Sequence, residues 1–234
     1  MPIVRLPGVF RPVSDAQLLI DAIGREPLPP DATAVDLCTG TGVVAVAAAR
    51  RGARVTAVDV SRRALFCARA NGVLAGVRID TARGDLFAPV DRRVHLITAN
   101  PPYLPAPGPD EPTPRGAARA WEGGRDGREI IDRICADAWR HLRPGGAVLM
   151  VHSAIVGVRR TMAALQAGGL EPTVVARHRG EMGPLVRERA AALRARGFLH
   201  PEQVEEEVVV VRGLAPPVKT TPGAGARWAG IAGD

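Results

Sequence analysis

Val94-His95-Leu96-Ile97-Thr98-Ala99-Asn100-Pro101-Pro102-Tyr103 is the stretch on which the reading of this chain turns. Its largely apolar, β-branched first part suits a buried strand. Two consecutive prolines then stop that strand abruptly, because neither has an N–H to give to a ladder. Asn100 is thereby placed at a strand's carboxyl end, the edge at which open α/β sheets bind their ligands. The Asn100 side-chain carbonyl and a backbone carbonyl fixed by the Pro101-Pro102 pair are two acceptors converging on one small volume, which suits a planar NH2 group. Tyr103 adds an aromatic face for stacking on an amide or a base edge. The lone pair of such a nitrogen is delocalised, so the nitrogen is a poor nucleophile. Acceptors on its N–H bonds draw it towards tetrahedral geometry and act on charge that develops only in the transition state. Taken alone, the same residues also read as an Asn-Pro turn with a tyrosine packed beside it.

Outward from this stretch the chain alternates strand and helix. Residues 33–37 read as a strand, 43–51 as a small-residue helix, 54–60 as a strand, 62–74 as a helix opened by Ser61, 77–81 as a strand and 94–99 as the next. Upstream, Ser14 can cap a helix whose apolar face is Leu18, Leu19, Ala22 and Ile23. Downstream, residues 104–126 form a Pro/Gly-rich loop of the kind that serves as a lid or binding loop. A helix over 129–142 follows, with Ile130, Ile131, Ile134 and Ala138 on one face, closed by a Pro144-Gly145-Gly146 turn. Strands at 147–152, 171–176 and 208–212 and a helix at 155–167 complete the pattern. The helical insertion at 183–197 reads as solvated cover. Such alternation predicts an α/β fold, a mostly parallel seven-stranded sheet with helices on both faces. The domain is expected to span residues 1–214, with a flexible tail over 215–234.

At 234 residues, 46% hydrophobic and 24% charged, the chain has the composition of a globular domain. The net charge of +7 is nearly all arginine, Lys219 being the only lysine. Genomic codon bias and functional basicity towards nucleic-acid-rich surroundings both account for that skew. The cysteines, Cys38, Cys67 and Cys135, are far apart and suggest neither disulfides nor zinc, and the histidines form no metal-ligand pattern. No apolar run reaches membrane-spanning length and the amino terminus lacks a cleavage signature, so a cytoplasmic protein without membrane contact is expected.

The first strand runs into Asp36-Leu37-Cys38-Thr39-Gly40-Thr41-Gly42 and then directly into helix. Glycines permit a sharp turn close to a ligand, and the helix start presents free N–H groups. Asp59, at the end of the second strand, can accept ribose hydroxyls, and Asp85 after the third suits an exocyclic amine of adenine. Gly40-x-Gly42-x-x-Ala45 also fits a dinucleotide fingerprint. Against a dehydrogenase, Asp36 stands where it can meet an amino-acid ammonium, Asp85 adds a second nucleoside carboxylate, and hydride transfer has no use for the Asn100 and Pro101 acceptors. The constellation points to S-adenosylmethionine.

These motifs resemble a class I S-adenosylmethionine-dependent methyltransferase, and more narrowly the HemK/PrmC family of glutamine-N5 methyltransferases, over roughly residues 9–213. The resemblance implies a Rossmann-like sheet with a final antiparallel strand, and methylation of the glutamine in the Gly-Gly-Gln loop of a peptide chain release factor. Asn100-Pro101-Pro102-Tyr103 matches the family's substrate motif, and Ala120-Trp121-Glu122-Gly123-Gly124-Arg125-Asp126-Gly127 is similar to its Gly-Gly-x-Asp-Gly stretch. Val9-Phe10-Arg11-Pro12-Val13-Ser14-Asp15 resembles the segment that lies over the cofactor in a short branch of the family. That branch lacks an amino-terminal helical domain, and its members often need a small activating partner. Ala16 stands where a hydroxyl residue is common, and Cys38 where glycine is frequent.

The expected catalytic residues are Asn100, Pro101 and Tyr103, with Pro102 joining them against the substrate. The expected cofactor set is Asp36, Thr39, Gly40, Gly42, Asp59, Val60, Asp85, Leu86 and Asn100, without a metal. The alternative is an amino methyltransferase acting on adenine or guanine in nucleic acid, since the substrate motif is shared with such enzymes. A catalytically silent cofactor-binding subunit is the third reading.

Overall fold

The computed structural model describes residues 3–12, 14–108, 111 and 121–217. Its strands are β1 (Thr33–Leu37), β2 (Arg54–Asp59), β3 (Ile79–Arg83), β4 (Val94–Ala99), β5 (Leu142–Ser153), β6 (Glu171–Glu181) and β7 (Glu205–Leu214). They form one sheet in the order β3-β2-β1-β4-β5-β7-β6, with β7 antiparallel to both its neighbours. The helices are α1 (Ser14–Arg25), α2 (Val43–Arg50), α3 (Arg62–Leu74), α4 (Glu129–His141), α5 (Val158–Ala167), α6 (Pro184–Glu188) and α7 (Ala190–Ala195). The expected α/β architecture is therefore present, and strand alternation explains it. In β1, Val35 and Leu37 face one apolar layer while Ala34 faces the other; in β4, Ile97 and Ala99 oppose Leu96. One layer packs on α4, α5 and the α6–α7 region, the other on α1 and α2.

Strand order reverses between β1 and β4, which pair side by side although β2 and β3 intervene in the chain. Connections from these two strands leave in opposite directions, so a crevice opens above their carboxyl ends. The glycine loop and Asn100 stand on its two sides.

Several local expectations need correction. Ser14 does not stand outside the helix as a cap: it is the first residue of α1, and its hydroxyl donates to Asp15 at 3.3 Å. β3 begins at Ile79, because Val77 is spent on closing α3 through a bond to Gly72. Pro144-Gly145-Gly146 lies within β5 as a bulge: pairing with β4 jumps from Val94–Leu142 to Leu96–Ala147, and Gly145 and Gly146 bond to Ala215. The helix expected at 155–167 is interrupted by Gly157 at φ 87, between a 3-10 turn (Ala154–Val156) and α5. β6 and β7 extend beyond their apolar centres because oppositely charged residues pair across them, as in Arg179–Glu205 at 2.7 Å and Arg177–Glu207 at 3.1 Å.

The insertion at 183–197 is more than cover. Val186, Ala190 and Leu193 are buried in the main apolar cluster. Arg189 donates to Pro105 O at 2.7 Å and Arg196 to Ala106 O at 2.6 Å, so the insertion grips the chain just after Tyr103. Of the loop expected at 104–126, residues 109, 110 and 112–120 lie outside the described residues. Of the tail expected at 215–234, residues 218–234 do, while Ala215 is buried. Among the described residues no helix is long and apolar enough to cross a membrane.

Gly42 holds α2 against α3. A Cβ there would lie 2.5 Å from Ala68 Cα, and the backbone sits at φ +78. Gly52 has a similar φ of +87 with nothing within 4 Å. Gly42→Ala is expected to cost roughly 3 kcal/mol, strain and overpacking together, and Gly52→Ala only about 1 kcal/mol. Urea unfolding midpoints of the two variants check this, and equal losses would show that the Ala68 contact is unimportant.

Candidate active site

A cavity of about 310 Å³ occupies the crevice at the strand-order reversal. That is within the range of small-molecule sites. At its base is Asp36, 1% exposed, whose carboxylate accepts from Thr39 Oγ1 at 2.5 Å and from Thr98 Oγ1 at 2.7 Å. The two hydroxyls come from opposite sides of the crevice, the glycine loop and β4. Burial pushes the Asp36 carboxyl up to about 6 despite those bonds, and among the described residues no ion pair reaches it.

The glycine loop is shaped by left-handed backbone. Gly40 has φ +53, and its N–H donates to Asp59 Oδ2 at 3.0 Å, while Asp59 Oδ1 accepts from Ser61 N at 2.8 Å. Cys38 at φ 55 and Leu86 at φ 48 are also left-handed and line the cavity. Neither is a glycine, so strain is concentrated at this site. Glycine would be unstrained at position 38.

Of the sequence-derived set, Asp36, Thr39, Gly40, Asp59, Val60, Asp85, Leu86, Asn100, Pro101, Pro102 and Tyr103 all line the cavity. Gly42 does not, since it is used in packing α2 on Ala68. Asp85 is half exposed and its carboxylate is held by Arg133 at 2.7 Å, so it is paired before any amine reaches it. Among the described residues no protein group bonds the Asn100 side chain.

Tyr103 is 4% exposed, and its hydroxyl donates to the Asp15 carboxylate at the start of α1. Burial and the Asp15 charge push the phenol well above its ordinary value, so it stays protonated. Its ring meets Trp121 edge-on at 6.3 Å, and Trp121 meets Phe10 edge-on at 4.1 Å. Behind these residues, 104–106 and 121–124 are laced together by Leu104 N to Trp121 O, Gly123 N to Leu104 O and Ala106 N to Gly124 O, at 2.7–2.8 Å. A Cβ at Gly123 would come within 2.7 Å of Pro102 O, and one at Gly127 within 2.3 Å of Tyr103 O. Glycine is required there by close approach to the carbonyls of the Pro-Pro-Tyr turn.

The lead-in segment covers the cavity with Gly8, Val9, Phe10 and Pro12. It is tied to α3 by buried Asn71, which accepts from Val4 N at 2.7 Å and donates to Val4 O and Thr41 O, both at 2.9 Å. Sequence reasoning missed Asn71, Asp15 and the Arg189–Arg196 grip. For Asn71 and Asp15 the available signal was a lone polar residue on the buried face of a helix, which also fits an ordinary surface position.

Comparison with known proteins shows what this chain is similar to. The model of the methyltransferase small domain matches residues 1–107. The chain is 39% identical over 179 residues to the release factor glutamine methyltransferase of Mycolicibacterium smegmatis, covering 74% of this chain and 63% of that protein. The chain thus spans under two thirds of that relative's length. It is 32% identical over 176 residues to a putative protein N5-glutamine methyltransferase of Methanocaldococcus jannaschii, covering 73% of this chain and 85% of the other. In fold it is similar to a chain of the E. cuniculi Mtq2–Trm112 complex, described as responsible for methylation of the eRF1 termination factor. The TM-score is 0.61 at 23% identity, over 89% of this chain and 99% of that one.

The elevated Asp36 pKa has a consequence for stability. The folded state holds this proton more tightly than the unfolded chain, so the contribution is fully present below the ordinary 3.8 and is lost as pH rises through about 6. Asp36→Asn removes that loss. Its stability relative to the parent is expected to be more favourable at pH 7.5 than at pH 4, by about 3 kcal/mol at most. Urea unfolding across this range tests it, and a pH-independent difference would refute the burial argument.

Proposed function

Because this chain belongs to the HemK family of protein glutamine-N5 methyltransferases, we propose that it methylates the side-chain amide of a protein glutamine, the Gly-Gly-Gln loop of a peptide chain release factor being the foremost substrate. The observation that carries the reading is the position of Asn100 and Pro101, at the strand-order reversal and on the wall of the cavity whose base is Asp36.

The cavity fits S-adenosylmethionine. Its buried carboxylate, with no ion pair among the described residues, suits an ammonium, and its glycine loop leaves room for close backbone approach. Asp36 would hold the amino-acid end, Asp59 the ribose hydroxyls, and Thr39, Gly40, Val60 and Leu86 the surface between. Asp85 would meet the adenine only by sharing its carboxylate with Arg133. When bound, S-adenosylmethionine supplies a methyl group on a positively charged sulfur.

The chain's own residues then orient the acceptor. Asn100 Oδ1 and the Pro101 carbonyl take the two amide hydrogens, Pro102 keeps the turn rigid, and the Tyr103 ring packs beside the amide. These acceptors are worth most when positive charge builds on the nitrogen, in a site walled on one side by Phe10, Trp121 and Tyr103. No side chain need act as a strong base, since the nitrogen becomes acidic as it is alkylated.

The test is transfer of labelled methyl from S-adenosylmethionine into a ribosome-depleted lysate, divided afterwards by protease and nuclease. A lysate also supplies a partner subunit, which the short branch often needs and which the E. cuniculi neighbour has in its complex. Label in a protease-sensitive band of release-factor size is expected; label lost only to nuclease would replace the protein substrate with a nucleic acid. Asn100→Ala is expected to lower transfer by about 100-fold or more while S-adenosylmethionine affinity, by calorimetry, stays within about threefold. Near-normal turnover in that variant would sink the mechanism.

A further inference from the structure

A second cavity, of about 380 Å³, lies on the far side of the aromatic wall. Phe10, Tyr103 and Trp121 line both chambers and form the partition between them. The opposite wall is aliphatic and comes from α6 and β7, through Leu185, Val186 and Val208. Because β7 runs antiparallel, Val208 pairs with Ser153 at the end of β5. This chamber therefore opens at the same sheet edge as the first. The insertion that the sequence presents as cover supplies one of its walls.

Two carboxylates face this chamber while being almost removed from water: Asp15 at 5% and Glu206 at 6% exposure. Asp15 accepts from Tyr103 and Ser14, and Glu206 accepts from Gly183 N at 3.0 Å. Neither has an ion-pair partner among the described residues. Burial raises both carboxyls, and the Asp15 charge raises Glu206 further. Arg5 and Arg11, also on the lining, are exposed, and His178 acts on Asp15 through space without a hydrogen bond to it.

A chamber walled by aromatic and aliphatic groups, with buried carboxylates that form no ion pair among the described residues, matches a side chain whose stem is apolar and whose end is cationic. It repels phosphate and acidic side chains for the same reason. Resting on the glutamine reading, we propose that the second chamber receives a lysine or arginine side chain of the protein substrate, next to the glutamine that is methylated. One chamber then holds the cofactor and the amide, and the other selects which glutamine is presented. The partition makes the two recognitions simultaneous, because Tyr103 belongs to both walls.

The experiment uses short peptides centred on Gly-Gly-Gln, with lysine, norleucine or glutamate substituted in turn at each flanking position. Norleucine keeps the stem of lysine and removes its charge. Lysine is expected to exceed norleucine by about tenfold in kcat/KM at one position or more, and glutamate to be poorest. Glu206→Gln is expected to cut the lysine preference to below about threefold, with S-adenosylmethionine affinity unchanged. Equal rates for lysine and norleucine, or an undiminished preference in Glu206→Gln, would overturn the proposal. Should that variant fail to fold, the comparison of lysine with norleucine in the parent protein decides. If no peptide is methylated in a lysate that supplies a partner subunit, although S-adenosylmethionine binds, the glutamine reading is what has failed. The chamber is then judged by NMR titration with N-acetyl-lysine amide and N-acetyl-norleucine amide. Preferential shifts of Phe10, Trp121 and Val208 resonances by the lysine compound would sustain it, and indistinguishable shifts would end it.

Discussion

A single buried carboxylate joins the two halves of the site. Asp36 accepts from Thr39 on the glycine loop and Thr98 on β4, so the flanks of the strand-order reversal are bonded to one group. Hydroxyl donors offset only part of the desolvation cost, and the carboxyl remains elevated to about 6. An arginine in the same place would have neutralised it and filled the crevice. Leaving it without a cation costs stability and keeps a position where a ligand's positive charge is favoured. Stability is thus spent at the walls of this cavity, as in the left-handed backbone at Cys38 and Leu86.

The second half of the site depends on backbone chemistry. β4 ends at Ala99 because Pro101 and Pro102 cannot donate, and Asn100 is left at the rim of the sheet. A rigid turn has value only if its carbonyls stay in one direction, and three remote segments hold it. Gly123 and Gly127 let the loop before α4 approach the carbonyls of Pro102 and Tyr103. Arg189 and Arg196 bond carbonyls further along, those of Pro105 and Ala106. Asp15 receives the Tyr103 hydroxyl. In the proposed reaction, preorganisation of this kind would spare the cost of ordering the acceptors at the moment charge develops.

Regular elements were legible wherever burial imposed a period. β1, α3 and β4 have the boundaries that their apolar patterns suggest. The outer halves of β6 and β7 were not, because their stability comes from cross-strand charge pairs that leave no apolar alternation. The insertion at 183–197 looked like a solvated charged segment for a related reason. Its arginines bond to backbone carbonyls, and nothing in an arginine's sequence context reveals that a carbonyl will lie opposite.

The sequence by itself determined the mostly parallel α/β fold, the positions of the glycine loop and of the Asn100 turn, and the chemistry those residue types allow. Each follows from local facts: proline lacks a donor, glycine tolerates positive φ, and buried strands alternate. Only the tertiary structure decided which candidates are committed elsewhere and which others join them. Gly42 packs on Ala68, Asp85 is held by Arg133, and Phe10, Tyr103 and Trp121 together divide one chamber from another. These outcomes depend on distances between residues far apart in the chain, and those are set by packing and strand order.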